Sequence, residues 1–266
     1  MVKLNNKNHQ LRRGIYILPN LFTLGNLGAG FFSIMNSFSS NFVAAGWAIL
    51  VAVVFDILDG QTARLTKTTS KFGIEFDSLA DVISFGVAPA VLMYSLVLHR
   101  YGKVGMLVAF LFVVGGALRL AKFNVKAGEG NITYYSGLPI PAAGGILATF
   151  VVVYSMWAQE TSTRTIPVIM KNVPLLYKFL PLTILILSYL MISNLRYASF
   201  KVMRLDKRKS LRVFVLIIVV SVIVWMYPEN MILIILAAYI LSGILDLFWR
   251  VYQLQKSKIL KNHNRH

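Results

Sequence analysis

Long apolar stretches alternate along the chain with short polar stretches that are rich in lysine and arginine. A helix needs roughly 20 apolar residues to cross a bilayer, and each apolar stretch is close to that length. The stretches cover residues 15–38, 42–64, 72–98, 103–123, 138–157, 173–195, 213–227 and 231–252. The pattern therefore predicts an all-α, polytopic membrane helix bundle with about eight transmembrane helices.

The composition also indicates a membrane protein, because 57% of the residues are hydrophobic and the mean hydropathy is +0.66. A net charge of +17 would indicate a nucleic-acid-binding protein only if the basic residues were gathered on one soluble face. They lie between the apolar stretches instead, so we expect no nucleic-acid partner. The absence of cysteine excludes disulfides and thiolate metal sites. No small-residue cleavage motif closes the first apolar stretch, so we expect no cleavable signal peptide.

The distribution of positive charge predicts how the helices are oriented. If the N-terminus is cytoplasmic, all but five of the 27 lysines and arginines fall on the cytoplasmic side. The five exceptions are Arg100, Lys103, Arg164, Lys171 and Lys178. Positive residues accumulate on the cytoplasmic side of membrane proteins. We therefore expect a multi-pass protein of the cell membrane with both termini in the cytoplasm.

Acidic residues are concentrated in one segment, residues 51–81. Half of the chain's 10 acidic residues lie there, namely Asp56, Asp59, Glu75, Asp77 and Asp81. A carboxylate at the centre of a membrane helix costs roughly 2.5–3.5 kcal/mol on insertion scales, and neighbouring carboxylates also repel one another. Cations bound between the aspartates would offset this cost and would explain why an apolar segment contains several carboxylates. Glu75 does not share a helix face with Asp77 and Asp81, and we expect its side chain to be solvated.

Residues three or four apart share one face of a helix, which groups the aspartates into two stripes. The first stripe contains Asp56, Asp59, Gly60 and Ala63, and the second contains Gly73, Asp77 and Asp81. Each stripe combines two carboxylates with a small residue, so the two helices can face each other across a narrow gap. Carboxylate oxygens suit Mg²⁺ or Mn²⁺, with Ca²⁺ as an alternative. The opposing interpretation is that Asp56 and Asp59 only pair with Arg64 and a neighbouring lysine.

The same residues form the pattern D-x-x-D-G-x-x-A-R, eight residues, then G-x-x-x-D-x-x-x-D. This pattern resembles the signature of the CDP-alcohol phosphatidyltransferase family, and every fixed position matches. The matching residues are Asp56, Asp59, Gly60, Ala63, Arg64, Gly73, Asp77 and Asp81. The resemblance implies a six-helix catalytic core within residues 1–200, preceded by a short basic interfacial segment. Residues 201–266 would then form a basic loop, an accessory C-terminal helix pair and a tail.

The resemblance implies a role for each aspartate. Asp56, Asp59 and Asp77 would be metal ligands, and Asp81 would accept the proton of an attacking hydroxyl while lying near a second metal ion. Two divalent ions, an active site at the cytoplasmic face and a homodimer are also implied. Residues that would contact the CDP-lipid are Asn20, Thr23, Gly60, Ala63, Arg64, Lys71 and Gly73. The alternatives are capping of the first helix for Asn20 and Thr23, and snorkelling to the interface for Arg64.

The acceptor is indicated by segments 70–90, 119–125 and 136–143, which resemble the phosphatidylserine synthase branch of the family. This branch implies transfer of the phosphatidyl group from CDP-diacylglycerol to the hydroxyl of L-serine, with release of CMP. The enzyme itself would lie among membrane lipids. Arg119, Lys122 and Asn124 would hold a phosphate or the acceptor's carboxylate. Snorkelling of these basic side chains to the interface is the alternative.

Other functions stay open on the sequence alone. Glycerol 3-phosphate, inositol phosphate or choline could replace serine as the acceptor, and the donor could carry archaeal-type lipid chains. A cation transporter or channel is the alternative from another class. It would place acidic residues near the midplane of several helices, whereas here the acidic residues cluster at one end of two helices.

Overall fold

The computed structural model describes residues 3–66, 70–127, 135–158, 167–197 and 228–263. The helices are α1 (Lys3–Phe38), α2 (Phe42–Thr66), α3 (Lys71–Asp81), α4 (Ala88–Leu96), α5 (Gly102–Ala127), α6 (Ile140–Ala158), α7 (Pro167–Ile192) and α8 (Pro228–His263). A π-helical turn (Val82–Val87) joins α3 to α4, and a short 3-10 helix (Leu98–Tyr101) leads into α5. Two-residue strands β1 (Tyr135–Ser136) and β2 (Arg196–Tyr197) form an antiparallel pair. The prediction of an α-helical fold is confirmed.

Three helical segments within the described residues are long and apolar enough to cross a membrane: Phe42–Ala63, Lys71–Leu96 and Leu98–Val125. Shorter apolar helices cover Ile140–Ser155, Tyr177–Ile192 and Asn230–Asp246. The chain is therefore a helical membrane protein. The predicted span 213–227 lies outside the described residues, so the number of about eight helices stays a prediction, as does the orientation of the termini.

Most helix ends lie within a few residues of the apolar pattern, but three do not: α1 begins at Lys3, α7 begins at Pro167 and α8 ends at His263, each beyond its predicted span. The basic residues before the first predicted span do not form a separate element, because α1 begins at Lys3 and continues through Pro19 to Phe38. A turn at Ser40, which has a φ of 59°, connects α1 to α2. Since the connection is so short, α1 and α2 are antiparallel neighbours, and they share an extensive interface.

The helix that carries the second acidic stripe has a well-defined start. Ser70 has an extended backbone, and its Oγ accepts a hydrogen bond from the backbone N–H of Gly73 at 2.9 Å. This is an N-cap, in which a serine oxygen satisfies one of the first free N–H groups of the helix. The cap fixes where α3 begins and therefore which face presents Asp77 and Asp81.

The helix α1 lies at the centre of the half of the bundle that contains the aspartates. It packs against α2, α3, α4 and the π-helical turn, while α6 also packs against α2 and α5 packs against α7. The outward faces carry exposed apolar side chains, including Phe31 on α1, Val54 on α2 and Phe110 on α5. Such faces suit contact with lipid chains. From residue 19 onward, the buried residues of α1 are small or polar, among them Thr23, Asn26, Gly30, Ser33 and Ser37.

The π-helical turn is a point of very close helix packing. A Cβ atom added to Gly30 of α1 would lie 2.7 Å from the Cα of Ser84, and one added to Gly144 of α6 would lie 2.8 Å from the carbonyl oxygen of Phe85. Glycine at these positions allows both helices to approach the backbone of the turn. The residue that precedes the turn, Asp81, is consequently held in a fixed position relative to α1.

Candidate active site

Three of the four predicted aspartates meet at one point. Asp56 and Asp59 of α2 and Asp77 of α3 each offer one carboxylate oxygen, and these oxygens lie within 4.8 Å of one another. Asp59 is buried, with 5% of its surface exposed, while Asp56 and Asp77 are partly buried. The spacing of the acids along two helices predicted this meeting. At such distances three negative charges repel strongly unless positive charge lies among them.

Asp81 lies one helical turn beyond Asp77 and is held differently. It is 7% exposed, and its Oδ1 accepts a hydrogen bond of 3.1 Å from Nδ2 of Asn26 on α1. It is not one of the residues whose oxygens form the cluster within 4.8 Å. The structure thus separates one aspartate from the other three, although all four lie on neighbouring turns of two helices.

Helix α1 supports the aspartates from a third side. Thr23 is buried, and its Oγ1 lies 3.2 Å from Oδ2 of Asp59 and 3.2 Å from the carbonyl oxygen of Pro19. Because a hydroxyl has a single hydrogen, these are alternative acceptors. Asn20 lies beside the start of α3, where its Oδ1 would be 3.2 Å from a Cβ added to Gly73. Both predicted residues of α1 are therefore at the site.

The arrangement fits a hard divalent cation. All donors in the cluster are carboxylate oxygens, which Mg²⁺, Mn²⁺ and Ca²⁺ prefer. Opposite ligands lie about 4 Å apart around Mg²⁺ and about 5 Å apart around Ca²⁺, so oxygens within 4.8 Å can share one ion. In addition, Oδ1 of Asp77 is buried and has no hydrogen-bond partner among the described residues. A buried carboxylate oxygen without a partner is costly, and a bound cation would satisfy it.

The other residues predicted to contact the CDP-lipid lie on the two helices that carry the cluster, α2 and α3. Gly60 and Ala63 follow Asp59 along α2 and are partly buried, while Lys71 is the first residue of α3 and is exposed. Arg64 belongs to α2, but its side chain lies outside the described part of the chain. The positions of Gly60 and Ala63 leave the end of α2 without bulky side chains on the stripe that carries the acids.

The predicted acceptor residues occupy two different environments at the end of α5. Arg119 is buried, and its guanidinium carbon lies 5.5 Å from the centre of the Phe123 ring. Asn124 donates from Nδ2 to Oγ of Ser78 at 3.0 Å, and Ser78 immediately follows Asp77. The hydrogen bond of Asn124 connects the end of α5 to α3, the helix that carries Asp77.

Lys122 has contacts at the end of α7. Its Nζ donates to Oδ1 of Asn194 at 2.6 Å and to the carbonyl oxygen of Ile192 at 3.4 Å. Ile192 is the last residue of α7, where free carbonyl groups and the helix dipole favour a positive charge. These contacts give Lys122 a role in joining α5 to α7, which the sequence did not indicate.

Sequence reasoning did not identify Asn26 and Ser84. Asn26 is fully buried and bonds Asp81, and its backbone carbonyl accepts a hydrogen bond of 2.9 Å from Oγ of Ser84. The only signal in the sequence is spacing, because Asn20, Thr23 and Asn26 recur at intervals of three residues along one face of α1. That spacing alone does not show which helix the face contacts.

The sequence matches the family described as CDP-alcohol phosphatidyltransferase over residues 16–175, which include every predicted site residue. It is 38% identical over 232 residues to a Helicobacter pylori protein named CDP-diacylglycerol–serine O-phosphatidyltransferase, covering 87% of this chain and 91% of that protein. A Bacillus subtilis protein of the same name is 32% identical, over 69% of this chain and 91% of that protein. Archaetidylserine synthase of Methanothermobacter thermautotrophicus is 45% identical, over 50% of this chain and 57% of that protein.

These matches extend well beyond the aspartate pattern, since the family match alone covers more than half of the chain. They favour an enzyme over the alternative of a cation transporter. Together with a cluster of carboxylates on two adjacent helices, they show that this chain belongs to the CDP-alcohol phosphatidyltransferase family and is an enzyme of that class.

Proposed function

We propose that the chain transfers the phosphatidyl group of CDP-diacylglycerol to the hydroxyl of L-serine, giving phosphatidylserine and CMP. The observation that carries the proposal is the likeness to the Helicobacter pylori enzyme, which extends over nearly the whole of both chains. The name of the archaeal relative, archaetidylserine synthase, indicates a different lipid but the same serine headgroup. Serine is therefore the acceptor that these names have in common.

The reaction forms one bond and breaks one bond at the phosphorus that carries diacylglycerol. The serine hydroxyl oxygen bonds to this phosphorus, and the bond between the phosphorus and the oxygen of CMP breaks, so that CMP leaves with that oxygen. The hydroxyl proton passes to a carboxylate, for which we propose Asp81. Asp81 suits this role because it lies beside the cluster of Asp56, Asp59 and Asp77.

Asp56, Asp59 and Asp77 would hold divalent metal, Mg²⁺ or Mn²⁺ and two ions in all, with Asp81 near the second ion. Bound metal supplies positive charge that stabilises the diphosphate during transfer. Thr23 fixes the orientation of Asp59 through its hydroxyl. Lys71 and Gly73 lie at the start of α3, and Asn20 of α1 lies beside Gly73. These residues would contact the CDP part of the donor together with Gly60, Ala63 and Arg64.

For the acceptor, we propose that Arg119 binds the serine carboxylate. A guanidinium group is suited to this because it can donate two parallel hydrogen bonds to a carboxylate. Arg119 is 6% exposed, and its helix α5 packs against the π-helical turn that follows Asp81. Asn124 would assist by holding Ser78, and with it the adjacent Asp77, in place.

We further propose that the enzyme is a homodimer in the cell membrane, with both termini and the active site at the cytoplasmic face. The distribution of lysine and arginine supports this orientation. In this proposal residues 1–200 form the catalytic core, and residues 201–266 form the basic loop and the accessory helices. CDP-diacylglycerol would then enter from the inner leaflet while serine enters from the cytosol.

An acceptor assay tests the proposal. Purified protein in detergent is supplied with CDP-diacylglycerol, Mg²⁺ or Mn²⁺, and one acceptor at a time: serine, glycerol 3-phosphate, inositol phosphate or choline. We expect release of CMP and formation of phosphatidylserine with serine, measured by chromatography and lipid mass spectrometry. Transfer to one of the other acceptors, with none to serine, would overturn the assignment of serine while leaving the enzyme class intact.

A further inference from the structure

Asn26 is a fully buried polar residue in direct contact with the aspartate proposed as proton acceptor. Its Nδ2 donates to Oδ1 of Asp81 at 3.1 Å, and both residues are almost inaccessible to solvent, at 0% and 7% exposure. Oδ1 of Asn26 is buried and has no hydrogen-bond partner among the described residues. Rotation of the amide would therefore replace the bond from Nδ2 with a repulsive contact between Oδ1 and the carboxylate, which favours the observed orientation. The contact therefore constrains the orientation of Asp81.

This constraint determines which oxygen of the carboxylate is more available. A carboxylate has two oxygens, and the hydrogen bond from Asn26 occupies one acceptor position of Oδ1, so Oδ2 is the oxygen with more free acceptor capacity for a proton. We propose that Asn26 is a positioning residue that orients Asp81 so that one defined oxygen meets the attacking hydroxyl. The inference rests on the proposed function, since it assigns Asp81 to proton acceptance.

A second contact, one helical turn away, reinforces the first. Oγ of Ser84 donates to the backbone carbonyl of Asn26 at 2.9 Å, and Gly30 leaves room for Ser84 against α1. Both hydrogen bonds involve Asn26, the first through its side chain and the second through its backbone carbonyl, so they join one residue of α1 to Asp81 and to the π-helical turn. Sliding or rotation of α1 against Asp81 and the turn would break both contacts together. Asn26 is thus itself held rigidly, as a residue that orients another must be.

The competing explanation is that Asn26 only joins two membrane helices, since buried amides commonly hydrogen-bond between helices in membranes. The two explanations predict different results for thermal stability, nucleotide binding and kcat. Loss of a helix contact would lower thermal stability and weaken nucleotide binding and turnover together. Loss of an orienting contact would lower kcat while leaving binding of the CDP-lipid nearly unchanged, because ground-state binding does not require the proton acceptor.

The first experiment uses Asn26→Leu, which has the same number and branching of side-chain heavy atoms but no donor, and the control Ser33→Ala. Ser33 lies on the same buried face of α1, and its Oγ has no hydrogen-bond partner among the described residues. We expect Asn26→Leu to lower kcat about ten- to a hundredfold, as is typical for residues that orient a catalytic group. The KM for CDP-diacylglycerol and the Kd of CMP should change less than about threefold, and the control should resemble the wild type.

Two results would overturn the inference. One is a kcat for Asn26→Leu within about twofold of the wild-type value. The other is a loss of CMP affinity as large as the loss of kcat, measured by calorimetry on the purified protein. If Asn26→Leu does not fold, Asn26→Ser, which keeps a small polar side chain, is measured by the same criteria.

A reciprocal exchange provides a second readout. The double variant Asn26→Asp/Asp81→Asn keeps one amide and one carboxylate in contact but moves the carboxylate from the end of α3 to α1. We expect its melting temperature to lie closer to the wild-type value than that of Asn26→Leu, with no turnover. Substantial turnover in the exchanged protein would show that the position of the carboxylate is unimportant, and would overturn the inference.

Failure of the proposed function would be recognised separately. The wild-type acceptor assay decides whether serine is used, and the Asn26 variants are measured with whichever acceptor supports turnover. A different acceptor would change the proposed function, while the kcat and binding criteria for Asn26 would apply unchanged. No turnover with any acceptor would overturn both proposals.

Discussion

Oγ1 of Thr23 lies 3.2 Å from Oδ2 of Asp59, so a residue of α1 contacts an aspartate 36 positions later in the sequence. The contact is buried and places a hydroxyl donor against a group that faces the proposed metal site. Hydrogen bonds to charged groups contribute about 1.5–3 kcal/mol, and 1.4 kcal/mol corresponds to a tenfold change in an equilibrium constant. The orientation of Asp59 therefore depends measurably on α1.

Replacing Thr23 with valine tests this dependence, because valine has nearly the same shape but no hydroxyl. We expect Thr23→Val to lower kcat/KM for CDP-diacylglycerol about tenfold, through the lost hydrogen bond to Asp59. Steady-state kinetics on the purified protein would measure it. Thr183→Val is the matched control, since Thr183 also bonds a carbonyl four residues earlier but is exposed on α7. Equal effects in the two variants would contradict a specific role for Thr23.

The carboxylate cluster leads to a prediction about metal binding. Asp56→Asn or Asp77→Asn keeps the size of the side chain and removes one negative charge from oxygens that lie within 4.8 Å of one another. We expect either variant to lose turnover and to bind Mn²⁺ more weakly, measured by electron paramagnetic resonance, while its gel-filtration profile stays unchanged. Glu75→Gln is the control, because Glu75 is exposed and only two residues from Asp77. Wild-type turnover in Asp56→Asn or Asp77→Asn would contradict the metal site.

Asp81 should behave differently from these ligands. An asparagine at this position has the same shape, but its amide cannot accept the hydroxyl proton at neutral pH. We therefore expect Asp81→Asn to bind CMP in the presence of metal with nearly wild-type affinity and to lose turnover, as measured by calorimetry and by the product assay. If CMP binding and turnover fall together, Asp81 acts mainly as a metal ligand.

Much of this site follows from helical periodicity. Two acids three residues apart, followed by two acids four residues apart, must lie on one face of each helix. The apolar sequence around Asp56 and Asp77 requires these faces to point away from lipid. For this reason the meeting of α2 and α3 could be predicted without the structure, as could most helix boundaries.

The contacts that hold the aspartates could not be predicted in the same way. Asn26 bonds Asp81 across 55 positions, and Ser84 bonds the carbonyl of Asn26 across 58. The position of Ser84 depends on the π-helical turn after Asp81, which changes the direction of every following side chain relative to an α-helix. Nothing in the local sequence specifies that turn. Lys122 illustrates the same limit, since its partner Asn194 lies 72 positions away.

The contacts of Lys122 predict an effect on stability rather than on substrate binding. Replacing Lys122 with methionine keeps the apolar stem and removes the ammonium that bonds Asn194 and the end of α7. Loss of a cation at a helix C-terminus costs about 0.3–1 kcal/mol, so the melting temperature should fall by a few degrees. Thermal unfolding in detergent would measure this, and Lys103→Met, an exposed position at the other end of α5, is the control.

Serine kinetics decide between the two roles of Lys122. If it only joins α5 to α7, the KM for serine in Lys122→Met should stay close to the wild-type value. A KM raised tenfold or more, with unchanged stability, would instead show that the ammonium binds the acceptor, as the position of Lys122 beside Arg119 and Asn124 suggested from the sequence.

Two glycines on α1 provide a test of the close packing next to the active site. A Cβ on Gly30 would lie 2.7 Å from the Cα of Ser84, whereas a Cβ on Gly28 would meet nothing within 4 Å. Inserting a methyl group into a closely packed contact typically costs about 1–3 kcal/mol. Gly30→Ala should therefore lower the melting temperature and separate α1 from the π-helical turn, while Gly28→Ala should leave stability unchanged or raise it slightly.

The same pair of variants should also differ in activity. Because Gly30 lies one turn from Asn26, displacement of α1 at Ser84 would move the amide away from Asp81, and kcat should fall in Gly30→Ala even at temperatures where the protein stays folded. Melting curves and turnover measured on the same preparations would show whether both changes occur. Equal stability and equal kcat in the two variants would mean that α1 can move against the π-helical turn at no cost. That result would contradict the proposal that the packing of α1 against the turn holds Asp81 in place.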